Sequence, residues 1–447
     1  MLRILGTMEI QRCLDVIKTI PGGVEKFHAL PLHASLLPSE QRRVFPPAPP
    51  GMRKIIVATN VAETSITIED IVAVIDTGRV KETSYDPINN IVKLLETWAS
   101  RAACKQRRGR AGRVRAGCCW KLYTRNAESK MRERPEPELK RVPLEQTCLA
   151  VKAMEDDVRE FLAGAISPPD MMAVDGALTL LGRMGAIADD RLTALGRHLV
   201  MIPADLRCSK LMVYGAIFGC LDVAVTIASV LTTRCPFASS VSQRDGSKAA
   251  RESFGEGQGD LLADCRAHQE WFKRRQESNI RDVKRWCEEN FLQHNVLIDI
   301  ASNNSQYIDN LKDIGFIPLP YQFGSNHPDD LSFNNNGKNG PLIRALIAAA
   351  FSPQVARISF PGAKYSGSIS GSVAVDPEAQ TIKHFTRDDE RVFIHPSSTL
   401  FSARTYTGNS TFLSYFTKLA TDKVYLRDVT RMLKIPHPLI RVFDCAN

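Results

Sequence analysis

The sequence predicts a multidomain chain: a parallel α/β layer first, a mostly α-helical middle, and a small all-β domain last. Three observations carry that expectation. Two short β-branched runs, Ile55 to Ala58 and Ile71 to Ile75, alternate with helical patterns near the start. After Arg134-Pro135-Glu136-Pro137 the apolar spacing turns helical, and beyond Ser352 it turns to short strands. At ~100–200 residues per domain, 447 residues suggest about two to four domains.

Taken in order, the runs at 55–58 and 71–75 read as buried strands bounded by Arg53-Lys54 and Asp76-Thr77-Gly78. Leu14 to Ile20 and Ser39 to Val44 read as helical pieces between them. Strands alternating with helices argue for a doubly wound sheet over about 1–135. From Pro143 to Leu231 the text is helical. Leu144, Cys148, Val151, Met154 and Val158 keep a three- and four-residue spacing, and Ala177, Leu180, Leu181 and Met184 do the same before a stop at Gly185. Ala186-Ile187-Ala188, the Asp189-Asp190 turn and Leu192-Thr193-Ala194 follow. Helix, short hairpin, helix outlines a winged-helix unit. Another helical stretch covers Asp260 to Asp313. Gly324 to Pro341, with Asn334-Asn335-Asn336-Gly337, reads as a mobile loop or linker. Beyond it, Val355–Phe360, Gly371–Val375, Thr381–Phe385, Arg391–His395 and Lys423–Leu426 are the candidate strands of a small barrel such as an OB-fold.

Composition excludes several classes. With 44% hydrophobic and 24% charged residues, disorder over most of the chain is ruled out. The net charge of +9 is mildly basic and suits a polyanion partner. The first twenty residues are broken by Arg3, Glu9, Arg12, Asp15 and Lys18, which fits neither a secretory segment nor a membrane span. Eleven cysteines form no C-x-x-C pair, so neither structural zinc nor a disulfide framework is expected. They read as small buried residues in a reducing compartment, cytoplasmic or nuclear.

Two segments carry chemistry. Gln106-Arg107-Arg108-Gly109-Arg110-Ala111-Gly112-Arg113 lies in a stretch, Arg101 to Arg115, with seven Lys/Arg and no acid. Guanidinium forks suit phosphate, glycines allow close backbone approach, and Arg110 and Arg113 would share a face of a helix. A solvated basic surface or a nucleic-acid patch is the other reading. Thr59-Asn60-Val61-Ala62-Glu63-Thr64-Ser65-Ile66-Thr67-Ile68-Glu69-Asp70 follows the strand that ends at Ala58. Its hydroxyls sit where parallel α/β folds bind ligands, outside the carboxyl ends of strands. Helix capping explains the same residues equally well.

In this order and spacing the two segments resemble motifs V and VI of superfamily 2 helicases of the DEAH/RHA type. Leu30-Pro31-Leu32-His33-Ala34-Ser35-Leu36-Leu37 with Gln41-Arg42-Arg43-Val44-Phe45 is similar to that family's motif IV region. The downstream helical and β regions resemble its remaining domains, including Phe393-Ile394-His395-Pro396-Ser397-Ser398. The resemblance implies a second RecA-like domain over 1–135, a winged-helix domain over 136–203 and a helical ratchet-like, helicase-associated domain over 204–320. A flexible linker at 321–341 and an OB-fold-like domain at 342–447 complete the division. It implies ATP with Mg2+ as cofactor, RNA as partner, protein regulators on the winged-helix and OB surfaces, and no membrane. Gln106, Arg110 and Arg113 match positions that contact the γ-phosphate and its attacking water. Ser65 matches a serine near the nucleotide, Thr59 and Thr67 match residues on the RNA backbone, and Phe45 matches an aromatic stacked on the base. A core phenylalanine is the alternative for Phe45. Glu69 stands where the family usually has Asp near the ribose. Residues 79–95 read as a hairpin with its turn near Asp86 to Asn90, and the family has a protruding hairpin here; a routine surface hairpin is the bland alternative.

Two features depart from the family. No G-x-x-x-x-G-K-[ST] and no Asp-Glu-Ala-His occurs, so the first RecA-like domain, expected to hold most Mg2+ ligands, is not represented. After Val429-Thr430 no hydrophobic final strand is recognisable, so the barrel is expected to be incompletely closed. The expected function is the C-terminal half of an ATP-dependent RNA helicase, without ATPase activity by itself. A non-catalytic RNA-binding or adaptor module is the alternative of another class.

Overall fold

Strand, helix and strand alternate through the first 142 residues. β1 (Leu2–Arg3), α1 (Thr7–Thr19), α2 (Gly23–Lys26), β2 (Phe27–Leu32), α3 (Pro38–Arg42), β3 (Arg53–Ala58) and β4 (Ala73–Asp76) come first. β5 (Arg79–Asp86), β6 (Ile91–Trp98), α4 (Arg101–Arg108), β7 (Cys118–Lys121) and α5 (Arg125–Lys130) follow. The structure is a computed structural model. It describes all residues except 4–5, 34–35, 37, 61–67, 87–90, 115, 239–242, 326, 362–363, 369–370, 376–377, 405, 407–410, 422 and 433–447. Two compact units result: 1–85 with 93–142, and 143–447 with 86–92.

The first unit is built on a five-stranded sheet in the order β2-β3-β1-β4-β7, with every neighbouring pair parallel. Ile56, Val57 and Ala58 are all buried because the sheet is covered on both faces. Ile10, Leu14 and Ile17 of α1 pack with Val57 on one side. Leu30, Leu32, Val44, Ile68, Ile71 and Val74 pack with Ile56 and Ala58 in a second cluster. The doubly wound α/β expectation therefore holds. Three strands were not legible. β1 has two residues, β2 contains Pro31, and β7 (Cys-Cys-Trp-Lys) has no β-branched residue. β5 and β6 are neighbours in a sheet, as the hairpin expectation requires. Its turn at 87–90 lies outside the described residues.

The second unit begins with α6 (Glu145–Lys152), α7 (Val158–Ala163), α8 (Met171–Arg183), β8 (Ile187–Ala188), β9 (Arg191–Leu192) and α9 (Ala194–Met201). β8 and β9 pair antiparallel across Asp189 and Asp190. Both turn residues have positive φ, 47° and 55°, as a two-residue hairpin demands. This is the winged-helix outline read from the sequence. α10 (Leu206–Ile217), α11 (Leu221–Thr232), α12 (Arg244–Gly255), α13 (Asp260–Glu277), α14 (Ile280–Glu289) and α15 (His294–Asp313) form the helical middle, and α16 (Pro328–Leu331) and α17 (Gly340–Phe351) follow.

The expected mobile linker is corrected here. The Asn334 side chain accepts from the Asp222 backbone N–H at 2.8 Å and donates to the Tyr321 hydroxyl at 2.8 Å, and that hydroxyl donates to Asp222 at 2.6 Å. The Leu221 and Asn336 N–H groups donate to the Phe333 and Gly219 carbonyls. An Asn-rich run reads as a loop, but here the Asn334 amide and the Phe333 carbonyl accept from two of the orphan donors that open α11.

β10 (Val355–Ser359), β11 (Lys364–Ser368), β12 (Gly371–Val375), β13 (Lys383–Thr386), β14 (Arg391–Ile394), β15 (Phe412–Ser414), β16 (Thr417–Ala420), β17 (Val424–Arg427) and β18 (Thr430–Arg431) complete the chain. Seven of them run in the order β18-β15-β10-β13-β14-β17-β16, and β11 pairs with β12 alone. All five expected strands are present. β11, β15, β16 and β18 were missed because short runs such as Thr-Lys-Leu-Ala carry no clear alternation. Beyond Met432 the chain lies outside the described residues.

Candidate functional site

α4 opens with Ser100 accepting from the Ala103 N–H at 3.1 Å. Along it, Gln106 is exposed while Arg107 is buried. Arg107 meets Asp76, at the end of β4, at 3.0 Å and donates to the Arg79 carbonyl at 3.2 Å. Asp76 also accepts from the Gly78 N–H at 3.0 Å and lies 3.5 Å from the Tyr123 hydroxyl. Burial pushes that phenol's pKa up, aided by the neighbouring Cys104 and Asp76.

The helix ends at Arg108, so Arg110 and Arg113 do not share a helical face; that expectation is corrected. Turn bonds carry the chain on, Arg110 N–H to Arg107 and Ala111 N–H to Arg108, both at 3.1 Å. Gly112 then adopts a φ of 102°, open to glycine and rare for other residues. Arg110 is buried and Arg113 is exposed. A Cβ on Gly117 would lie 2.8 Å from the Val72 carbonyl and 2.8 Å from the Ala111 Cβ. The turn is thus seated against the segment entering β4.

Because the sheet is parallel, all strand starts lie on one edge. Lys54, second in β3, gathers two candidate segments there. Its Nζ donates to the Val44 carbonyl at 2.9 Å, lies 3.5 Å from the Phe45 carbonyl and pairs with Asp70 at 2.6 Å. Phe45 is 49% exposed, which removes the core-phenylalanine alternative, and Glu69 is exposed. A cavity of about 1080 Å³ opens on this edge, lined by Arg53, Lys54, Asp70, Val72, Gly117 and Trp120 among others. Phe45 and Glu69, through Lys54, and the Arg110–Arg113 turn, through Gly117 and Val72, are therefore each anchored toward the amino edge of the sheet, not outside its carboxyl ends. They ride on connections that return to the next strand start. Thr59 lies at the carboxyl edge, its N–H donating to the Leu32 carbonyl at 3.1 Å, and Gln106 sits on α4 beside Arg107, which reaches Asp76 at the carboxyl end of β4. Ser65 and Thr67 fall outside the described residues.

Sequence reasoning missed Lys54, Asp76 and Arg107. The one available signal was an acid closing a buried strand, which needs a buried cation. Among the described residues no group of three or more His, Cys, Asp or Glu could hold a metal ion, and no helix is long and apolar enough to cross a membrane.

The chain thus joins an α/β unit to helical and β modules. Comparison with known families matches each of them. Residues 4–115 match the helicase conserved C-terminal domain, 177–204 the winged-helix part and 205–284 the ratchet-like part of the helicase-associated domain, and 343–439 an oligonucleotide/oligosaccharide-binding (OB) fold. A putative DEAH-box ATP-dependent helicase of Mycosarcoma maydis is 45% identical over 444 residues, covering 96% of this chain and 28% of its own length. A putative ATP-dependent RNA helicase of Schizosaccharomyces pombe is 40% identical over 441 residues, covering 95% of this chain and 32% of its own. One of Homo sapiens is 37% identical over 423 residues, covering 91% and 30%. The chain carries the C-terminal domain set of the DEAH-box ATP-dependent RNA helicases. It spans about a third of the length of the curated relatives it matches.

Proposed function

We propose that the chain is the C-terminal half of an ATP-dependent RNA helicase that couples ATP hydrolysis to RNA translocation and unwinding. The observation that supports it is the division of the candidates between two edges of one sheet: Phe45, Glu69 and the Arg110–Arg113 turn on the amino edge, Thr59 on the carboxyl edge. A nucleotide on one edge and RNA on the other lets one rigid sheet link the two.

The donor set fits ATP: an exposed aromatic ring for the base, a carboxylate for the ribose, and an amide with two guanidiniums for the γ-phosphate. Phe45 stacks the base and Glu69 accepts from the ribose. Gln106 orients the attacking water, and Arg110 and Arg113 stabilise charge that develops in the transition state. A first RecA-like domain would hold Mg2+, which would supply charge neutralisation to the phosphates. Thr59, Thr67 and Ser65 contact the RNA backbone or relay the nucleotide state to it. RNA is held through its backbone, so affinity is salt-dependent and largely sequence-independent. The winged-helix and OB surfaces receive protein regulators. An exposed Gln106 and Arg113 favour a catalytic half over an adaptor module.

The test is phosphate release with single-stranded RNA. The 447-residue chain alone should bind RNA, less tightly as salt rises, with no RNA-stimulated turnover. Adding a first RecA-like domain in trans should restore turnover. Stimulated turnover of ~1 s⁻¹ by the chain alone, or none after addition, would overturn the proposal.

A further inference from the structure

The Lys54 side chain is 8% exposed. A buried ammonium with three donors needs three acceptors, or it loses its charge. Lys54 has them: the Val44 carbonyl at 2.9 Å, the Asp70 carboxylate at 2.6 Å and, more loosely, the Phe45 carbonyl at 3.5 Å. Val44 and Phe45 close the motif IV segment, and Asp70 closes motif V. The two lie far apart in sequence and belong to different strand connections. Neither segment has regular structure at these residues. Beyond α3, Val44 and Phe45 keep turn bonds from their N–H groups to the Gln41 and Arg42 carbonyls, at 3.3 and 3.2 Å, while their own carbonyls turn to Lys54.

The residues beside the anchored groups are the ones that face outward. Phe45 presents its ring from the residue whose carbonyl is held, and exposed Glu69 directly precedes Asp70. We propose that Lys54 is a positioning residue for nucleoside recognition, locking Phe45 and Glu69 into one receptor for the base and ribose. This rests on the nucleotide role assigned above to Phe45, and it adds a residue that touches no nucleotide itself.

The chemistry sets what must change. Base and ribose contacts lie away from the reacting phosphate, so they bind ground state and transition state alike. Losing them raises KM and leaves kcat in place. A merely stabilising cation would lower Tm and leave KM alone.

The experiment uses the enzyme that joins this chain to its first RecA-like domain, and measures RNA-stimulated hydrolysis of ATP and UTP. Lys54→Met should raise KM for ATP by roughly 5- to 10-fold with kcat within about twofold, and should narrow the preference for ATP over UTP. Phe45→Ala should do the same. The double variant should fall clearly short of the sum of the two single effects, because part of the Lys54 effect runs through that ring and only the Glu69 part remains. Lys54→Arg should recover most of the lost affinity. If Lys54→Met does not fold, Asp70→Asn removes one anchor without opening the core and should still raise KM about twofold.

The two ideas separate cleanly. An unchanged KM in Phe45→Ala would sink the role of the ring. A raised KM in Phe45→Ala beside an unchanged KM in Lys54→Met, or in Asp70→Asn where Lys54→Met does not fold, would overturn the positioning role alone. Strictly additive effects in the double variant would overturn it too.

Discussion

Truncating Arg107 to alanine would strip the buried Asp76, at the end of β4, of its cation. The two side chains are 3% and 1% exposed and 3.0 Å apart. After truncation Asp76 keeps the Gly78 N–H at 3.0 Å and a phenol at 3.5 Å, and loses its charge partner. The Arg79 carbonyl loses the Arg107 donor as well. Removing one member of a buried pair typically costs about 3–5 kcal/mol, because the other charge stays buried without compensation. At roughly 3 °C per kcal/mol for a domain of this size, the α/β transition should fall by about 10–15 °C. Scanning calorimetry of the whole chain measures it. Arg107→Lys, with one compact donor in place of a fork, should fall in between. The double change Asp76→Asn with Arg107→Met should regain most of the loss, since no charge is then stranded. A melting point for Arg107→Ala within about 3 °C of the parent, the shift expected of roughly 1 kcal/mol, would refute the reasoning.

Arg110→Ala or Arg113→Ala in the complete enzyme should slow hydrolysis by roughly 10³-fold, with a much smaller effect on nucleotide affinity, as for arginine fingers. Near-normal single-turnover rates in both variants would assign those side chains to RNA or to structure. His268, on α13, is 1% exposed, and neither ring nitrogen has a hydrogen-bond partner among the described residues. Burial pulls its pKa from 6.5 down to about 4. The unfolded chain therefore takes up the proton first. Stability should fall as pH drops from about 6.5 toward 4, by up to about 3 kcal/mol from this group. Thermal melts at pH 7 and pH 4.5 should show a smaller drop for His268→Phe than for the parent, and equal drops would exclude the imidazole as the cause.

Local periodicity and turn chemistry made much of this protein legible in its sequence. The Ile55–Ala58 strand, the α8 stripe that ends at Gly185, and the Asp189-Asp190 turn depend on neighbours a few residues away. Their spacing states them directly. The ordered motifs likewise pointed to the helicase domain set, because arginines, glycines and hydroxyls at fixed intervals are themselves the chemistry. Tertiary structure decided everything that required knowing which segments meet. Arg107 and Arg110 look alike in a basic run. Arg107 pairs with Asp76, because α4 packs on β4 in a sheet where β4 lies between β1 and β7. Lys54 looked like the polar boundary of a strand, and only parallel register brings Asp70 and the Phe45 turn to its ammonium. Asn334 looked like a linker residue until α11 presented a donor to cap. A buried charge or an orphan helix N–H takes whichever partner the chain crossing brings within about 3 Å. That partner is set by strand order and register, over separations that no local pattern encodes.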